Sequence, residues 1–127
     1  MKILNLDKNQ VMLRLSKDEF GVLRGCSSHV LQNFAMPSDY NITESTGLSR
    51  QAAELIATNL RESYRAATET HISYAFSRDE ILFLIKTIED TVKKIGSEFY
   101  SLIGRTTDEA MATRNALQDV ALRMAGL

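Results

Sequence analysis

The chain lacks several features that would assign it to a class of protein. It has one cysteine, Cys26, among 127 residues, so it cannot form an internal disulfide and needs no oxidising compartment to fold. Its formal net charge of −1 provides no strong attraction for nucleic acid or an anionic membrane. No apolar run approaches the roughly 20 residues that span a bilayer, and the first ten residues do not resemble a signal peptide. We therefore expect a soluble, cytoplasmic protein with one domain, 1–127.

The motifs of common catalytic and cofactor sites are also missing. No nucleophile elbow, P-loop, zincin or dinucleotide-binding pattern occurs. Cys26 and His29 have the spacing of half a metal site, but the other histidine, His71, has no cysteine near it. These residues fall short of a tetrahedral zinc site. We expect no enzymatic activity, no metal and no cofactor.

The chain does contain one phrase twice. LSKDEFGVL begins at Leu15, and FSRDEILFL begins at Phe76. Each phrase holds a Ser-x-x-Glu capping box ahead of an apolar run, which is a signature of a helix start. The alternating segments VMLRL and HISYAF precede the two phrases and predict strands, and KILNL can form a hairpin with VMLRL.

The similarity continues beyond the two phrases. A short, partly aromatic segment and a glycine follow each predicted long helix, and GLSRQAAELIATNL or GRTTDEAMATRNAL then opens another long helix. We interpret this order as a degenerate internal duplication of residues 11–67 and 72–125. The predicted fold is mainly α: a helical bundle of two repeats (long helix, short helix, long helix) with a small antiparallel β-hairpin or three-stranded sheet, and hence α+β.

The first long helix has two unusual features. Its apolar stripe is thin and runs as far as Phe34, and the Met-Pro pair at 36–37 is expected to end it because the residue before proline disfavours helix. Gly21 and Gly25 lie one turn apart on the same face. Our interpretation is that the equivalent helices of the two halves cross closely, with Leu82 filling the space at Gly21.

Paired carboxylates occur four times in the chain. Three pairs lie in the first turn of a predicted helix, where capping and the helix dipole explain them. Glu89 and Asp90 lie in the middle of a predicted helix instead. Their simplest interpretation is an ordinary solvated face with lysines one turn away.

The stretch DYNITESTGLSRQAAELIATNLRE allows interpretation as a helix-turn-helix DNA-binding motif. It predicts a short helix, a glycine turn and a second helix, on which Arg50, Gln51 and Asn59 could face base edges. Three glutamates in the same stretch repel phosphate, and the chain has no basic patch, so nucleic-acid binding is disfavoured. An adaptor module that self-associates, for example as a homodimer, is another alternative.

Two longer phrases resemble a known type of bacterial protein. LSKDEFGVLRGCSSHVL and EFYSLIGRTTDEAMATRNAL are similar to segments of immunity proteins, including those of contact-dependent growth inhibition and other polymorphic toxin systems. The glycines inside the first helix and the doubled unit depart from that pattern. The resemblance implies a cytoplasmic protein that binds and neutralises one cognate toxin domain, often a nuclease, and carries no catalytic residues.

An inhibitor of this type could use acidic side chains, because a nuclease active site is built for phosphate and an acidic surface can compete for it. The segments before the two glycines and the mid-helix carboxylate pair supply such side chains. The candidate partner-binding residues are Glu89, Asp90, Glu98, Asp39, Tyr40 and Glu44.

Overall fold

Three short strands form one antiparallel sheet. In this computed structural model, which describes residues 1–32 and 36–127, the strands are β1 (Lys2–Leu6), β2 (Gln10–Ser16) and β3 (His71–Ser77), in the order β1-β2-β3. The alternation in β2 places Val11, Leu13 and Leu15 in the core. The small antiparallel sheet that the sequence predicts is therefore confirmed.

Helices account for most of the remaining chain, which confirms the predicted mainly helical α+β fold. A 3₁₀ turn spans Gly96–Glu98. The helices are α1 (Lys17–His29), α2 (Ile42–Thr46), α3 (Arg50–Ala66), α4 (Arg78–Ile95), α5 (Phe99–Ile103) and α6 (Thr107–Ala125). Both halves of the chain thus run strand, long helix, short helix, long helix. The duplication itself remains a prediction from the sequence.

The predicted capping boxes are present at the helix starts. The Ser16 hydroxyl accepts a hydrogen bond from the Glu19 backbone N–H, and the Glu19 carboxylate accepts one from the Ser16 N–H. The same reciprocal pattern opens α4 and α6. Ser49 caps α3 through its hydroxyl alone, because an alanine occupies the position where the glutamate would stand. The repeated phrase therefore marks helix starts.

The first helix ends earlier than the sequence predicts. Helix α1 stops at His29, with Val30 as its C-cap, and does not continue to the Met-Pro pair at 36–37. Serine and glycine in its last turns are weak helix formers, and the Ser27 hydroxyl bonds back to the Arg24 carbonyl. Phe34, which we assigned to the apolar stripe of this helix, lies outside the described residues.

The prediction that Leu82 fills the space at Gly21 is wrong. Leu82 is 44% exposed and does not fill the space at Gly21. That space holds the Arg105 guanidinium, whose Nη2 atom would lie 3.0 Å from a Cβ added at Gly21. At Gly25 an added Cβ would lie 2.8 Å from the Ile103 side chain. The two glycines therefore make room for α5 and the residues that follow it.

The core lies between the sheet and the helices. Its largest fully buried side chains include four phenylalanines: Phe20, Phe76, Phe83 and Phe99. Helix α4 contacts α6, α1 and the short helices, so it is the central element of the bundle. Within the described part of the chain, no helix is both long enough and apolar enough to cross a bilayer.

Candidate functional site

Four of the six candidate residues line one cleft between α2 and α4. These four are Asp39, Tyr40, Glu44 and Asp90, and the cleft has a volume of about 370 Å³. The segment from Pro37 to Ser45 forms one wall and a face of α4 forms the other. The fold thus brings candidates from the two halves of the chain into one place, although they are up to 51 residues apart in sequence.

Asp90 lies at the base of this cleft and joins its two walls. Its Oδ2 atom accepts hydrogen bonds from the Tyr40 hydroxyl at 2.8 Å and the Ser45 hydroxyl at 2.5 Å. Lys86, one turn earlier on α4, places its Nζ atom 4.0 Å from the other carboxylate oxygen. Two hydroxyl donors and a nearby ammonium compensate this carboxylate for its burial.

The interpretation of Asp90 as part of a solvated face is therefore wrong. Only 8% of the residue is exposed, because α2 packs on α4 at this point. Burial raises the pKa of Tyr40 above its ordinary value, and the hydrogen bond and charge of Asp90 raise it further. The Tyr40 hydroxyl thus stays protonated at neutral and moderately alkaline pH and remains a donor to Asp90. The pair acts as a fixed tie between the segment before α2 and α4.

The rim of the cleft carries both signs of charge. Asp39 and Glu44 are exposed on one wall, and Lys93 and Lys94 are exposed on the other. The acidic residues are thus matched by lysines across the cleft. A partner that fits this surface would need basic and acidic groups at complementary positions.

The remaining two candidates lie elsewhere. The Glu89 carboxylate lies 3.5 Å from an Arg114 guanidinium nitrogen, so it bridges α4 to α6 on another side of the helix. Glu98 lies in the 3₁₀ turn and lines a second cleft of about 680 Å³, together with Arg24, Ser28 and Lys94. Lys94 lines both clefts, which makes them neighbours along the C-terminal end of α4.

Sequence reasoning missed three polar residues in these clefts. Ser45 is one of the two hydroxyls on Asp90, and a serine inside a polar segment gives no signal of that contact. Arg24 and Ser28, in the larger cleft, each have a buried side-chain atom that makes no hydrogen bond, the arginine Nε and the serine Oγ. Both residues line the cleft together with Gly25 of α1. The unusual glycine in this helix was therefore the sequence feature that could have indicated the cleft.

Cys26 and His29 take no part in a metal site in the described structure. Cys26 is buried in the core, and this burial raises the pKa of its thiol to about 12, opposed by a hydrogen bond with Thr91. Among residues 1–32 and 36–127, no three histidine, cysteine or acidic side chains converge as metal ligands. A thiol with such a high pKa is a poor nucleophile and metal ligand at neutral pH.

The helix-turn-helix order is present, since Gly47 joins α2 to α3 with a φ of +81°. Arg50, at the start of α3, is already engaged: its guanidinium contacts the Glu54 carboxylate at 3.1 Å and donates to the Leu31 carbonyl. Gln51 and Asn59 are exposed on the same helix. A DNA-binding protein that contacts base edges through this arginine would need its guanidinium free, so this geometry does not favour DNA recognition through Arg50.

Comparisons with protein-family models, with curated proteins and with solved structures find no match to the chain.

Proposed function

We propose that the chain is an immunity-type inhibitor, which neutralises a cognate bacterial toxin domain by binding it with the cleft between α2 and α4. The observation that carries this proposal is the Asp90 network. Asp90 accepts from Tyr40 and Ser45 at once and thereby fixes the segment 37–45 against α4. A surface held in one conformation before binding loses little entropy when a partner docks, so it suits tight recognition.

The charges on the rim support a protein partner. Asp39 and Glu44 are exposed and project from a wall that Asp90 holds in place. Acids on one wall of a cleft and lysines on the other favour a partner whose charges match, and they disfavour partners whose charges do not. Asp39 and Glu44 would bind the basic residues with which a nuclease toxin holds the phosphate of its substrate. Lys93 and Lys94 would form ion pairs with acidic residues of the toxin.

Co-expression tests this proposal directly. The toxin to use is the C-terminal domain of a polymorphic toxin encoded beside this chain, placed under an inducible promoter in a sensitive host. Growth after induction should continue when the full chain is co-expressed and should stop when it is absent. Absence of such a toxin gene, or a toxin that kills the host in the presence of the chain, would overturn the proposal.

A charge-reversal variant tests the surface. The double variant Asp39→Lys with Glu44→Lys should abolish protection, because it removes both acids from the rim without touching the Asp90 hydrogen bonds. The matched control is Glu62→Lys with Asp119→Lys, which makes the same change of charge at exposed positions on α3 and α6. Protection that survives the first variant, or that both variants reduce equally, would exclude this cleft as the binding surface.

A salt titration separates this function from the DNA-binding alternative. A chain that reads DNA would bind a duplex with an affinity that falls log-linearly as salt rises. We expect no measurable binding to duplex DNA at low salt. Retention of DNA with a steep salt dependence would replace the proposal with a nucleic-acid function.

A further inference from the structure

The two edges of the small sheet differ in how they are protected. The β1 edge carries Lys2 and has an irregular register between Ile3 and Asn5. A charged side chain and a bulge are devices by which proteins keep edge strands from pairing with other chains. The β3 edge, His71–Ser77, has no charged residue and no proline, and its register with β2 is regular over all seven pairs.

The free edge of β3 has a defined set of hydrogen-bonding groups. Lys17 N–H donates to the Thr70 carbonyl and Arg78 N–H donates to the Asn9 carbonyl, both at 2.9 Å. These bonds set the alternation of the ladder, so Thr70, Arg78 and every second residue between them direct their backbone groups to β2.

The other residues of β3 direct their backbone groups away from the sheet. The outward N–H of Ser77 is already used by the Glu80 carboxylate. The outward groups of His71, Ser73 and Ala75 take no backbone partner within the described residues. All three residues are exposed.

The corresponding edge in the first half of the chain is occupied. Strand β2 precedes capped helix α1 as β3 precedes capped helix α4, and these two strands pair antiparallel with each other. On its other side β2 pairs with β1. Strand β3 has no such neighbour in the described chain, so the position that corresponds to β1 is vacant.

We propose that a second copy of this chain fills this position, with β3 pairing antiparallel to β3 of the partner about a two-fold axis. The register that uses the three free residues has Ser73 opposite the partner's Ser73 and His71 opposite the partner's Ala75. The product is a continuous six-stranded sheet across a homodimer. This inference is independent of the proposed toxin binding, which uses a cleft lined by the 37–45 segment and α4.

The side chains of β3 fit a second copy of the same strand. On the solvent face serine meets serine and histidine meets alanine, so no charges oppose one another and no bulky groups collide. On the core face Ile72 would lie opposite the partner's Tyr74. Both residues are only partly buried in one chain, so pairing would cover apolar surface that is now exposed.

The interface would be small, and its strength follows from that. Only three residues on each side would pair, and one kind of apolar contact would be made. The buried area would therefore be at the low end for protein interfaces, where complexes are weak and transient. We expect a dissociation constant on the order of 1–100 µM. Association of this strength is visible at high protein concentration and reversible on dilution.

Sedimentation equilibrium with amide hydrogen exchange tests the proposal on the full chain. The mass should rise from monomer to dimer with concentration, and the Ser73 and Ala75 amides should become protected over the same range. Ser73→Lys should weaken the dimer at least tenfold, because two like charges would face each other across the axis. Asn5→Lys, at the β1 edge, is the matched control and should leave the dissociation constant unchanged.

Three results would overturn the proposal. One is a chain that stays monomeric up to about 1 mM, well above the expected dissociation constant. Another is a dimer that Ser73→Lys and Asn5→Lys weaken equally. The last is wild-type dimerisation without added protection of the Ser73 and Ala75 amides, a measurement that holds even if the lysine variant folds poorly.

Discussion

Replacing Gly25 by alanine tests how closely α5 packs on α1. Gly25 lies inside α1 and is buried, and an alanine Cβ there would lie 2.8 Å from the Ile103 Cγ2 atom. Carbon atoms in good contact are about 3.5–4.0 Å apart, so one of the two helices must shift. The Cγ2 methyl is attached directly to Cβ, and a β-branched side chain in a helix has one strongly preferred χ1 rotamer, so rotation of the Ile103 side chain relieves the clash poorly even though Ile103 borders the larger cleft.

Two opposing effects set the size of the change. Alanine in place of glycine favours a helix interior by about 1 kcal/mol. Overpacking a core costs typically about 1–3 kcal/mol. The sum predicts that Gly25→Ala lowers the free energy of unfolding by about 1 kcal/mol. The usual stabilising effect of such a substitution in a helix is thus reversed by one contact.

A double-mutant cycle isolates that contact. In an Ile103→Ala background the clashing methyl group is gone, and Gly25→Ala should then stabilise the chain by about 1 kcal/mol. The coupling between the two sites should be about 2 kcal/mol. Urea denaturation of all four proteins, followed by circular dichroism, measures it. If Gly25→Ala has the same effect in both backgrounds, α5 does not pack on Gly25 and the reasoning is refuted.

The other predictions concern the Asp90 tie and the buried thiol. Tyr40→Phe should destabilise the chain by about 1.5–3 kcal/mol in urea denaturation, because it removes one hydrogen bond to a buried carboxylate; a change near zero would show that the tie contributes nothing. Cys26 keeps its proton in the folded state up to a pKa of about 12, whereas the unfolded thiol loses it near 9.0. The thiol's contribution to stability is therefore complete below pH 9 and falls as the pH rises from 9 towards 12, by up to about 1.4 kcal/mol per pH unit. Stability measured between pH 9.0 and 10.5 should fall more steeply for the wild type than for Cys26→Ala, and equal slopes would contradict the assignment.

Much of the fold follows from local sequence signals. The three strands and the capped helix starts at Ser16, Ser77 and Thr106 are visible because alternation and capping act within a few residues. The end of α1 was harder to predict from the sequence. Proline at 37 is a strong terminator, but the helix had already stopped at His29, where several weak preferences add up.

The candidate site was predictable only in part. Asp90 stood out because a mid-helix carboxylate pair has no capping role, but its neighbour Glu89 has the same local sequence context and points to α6 instead. Adjacent residues on a helix differ by about 100° in direction, so their surroundings depend on which elements pack there. The Ser45 contact with Asp90 joins residues 45 positions apart and left no trace in either segment.

The sequence by itself determined the elements of this protein: which segments are strands, where helices begin, and that turns occur at Gly47 and Gly104. These are short-range effects of hydrogen bonding and side-chain alternation. Only the tertiary structure decided that Arg105 occupies the space beside Gly21, that Asp90 is buried, and that no strand of the described residues pairs with the outer edge of β3. Each of these depends on how whole elements pack, and packing is set by the sum of many distant contacts, which no single stretch of sequence contains.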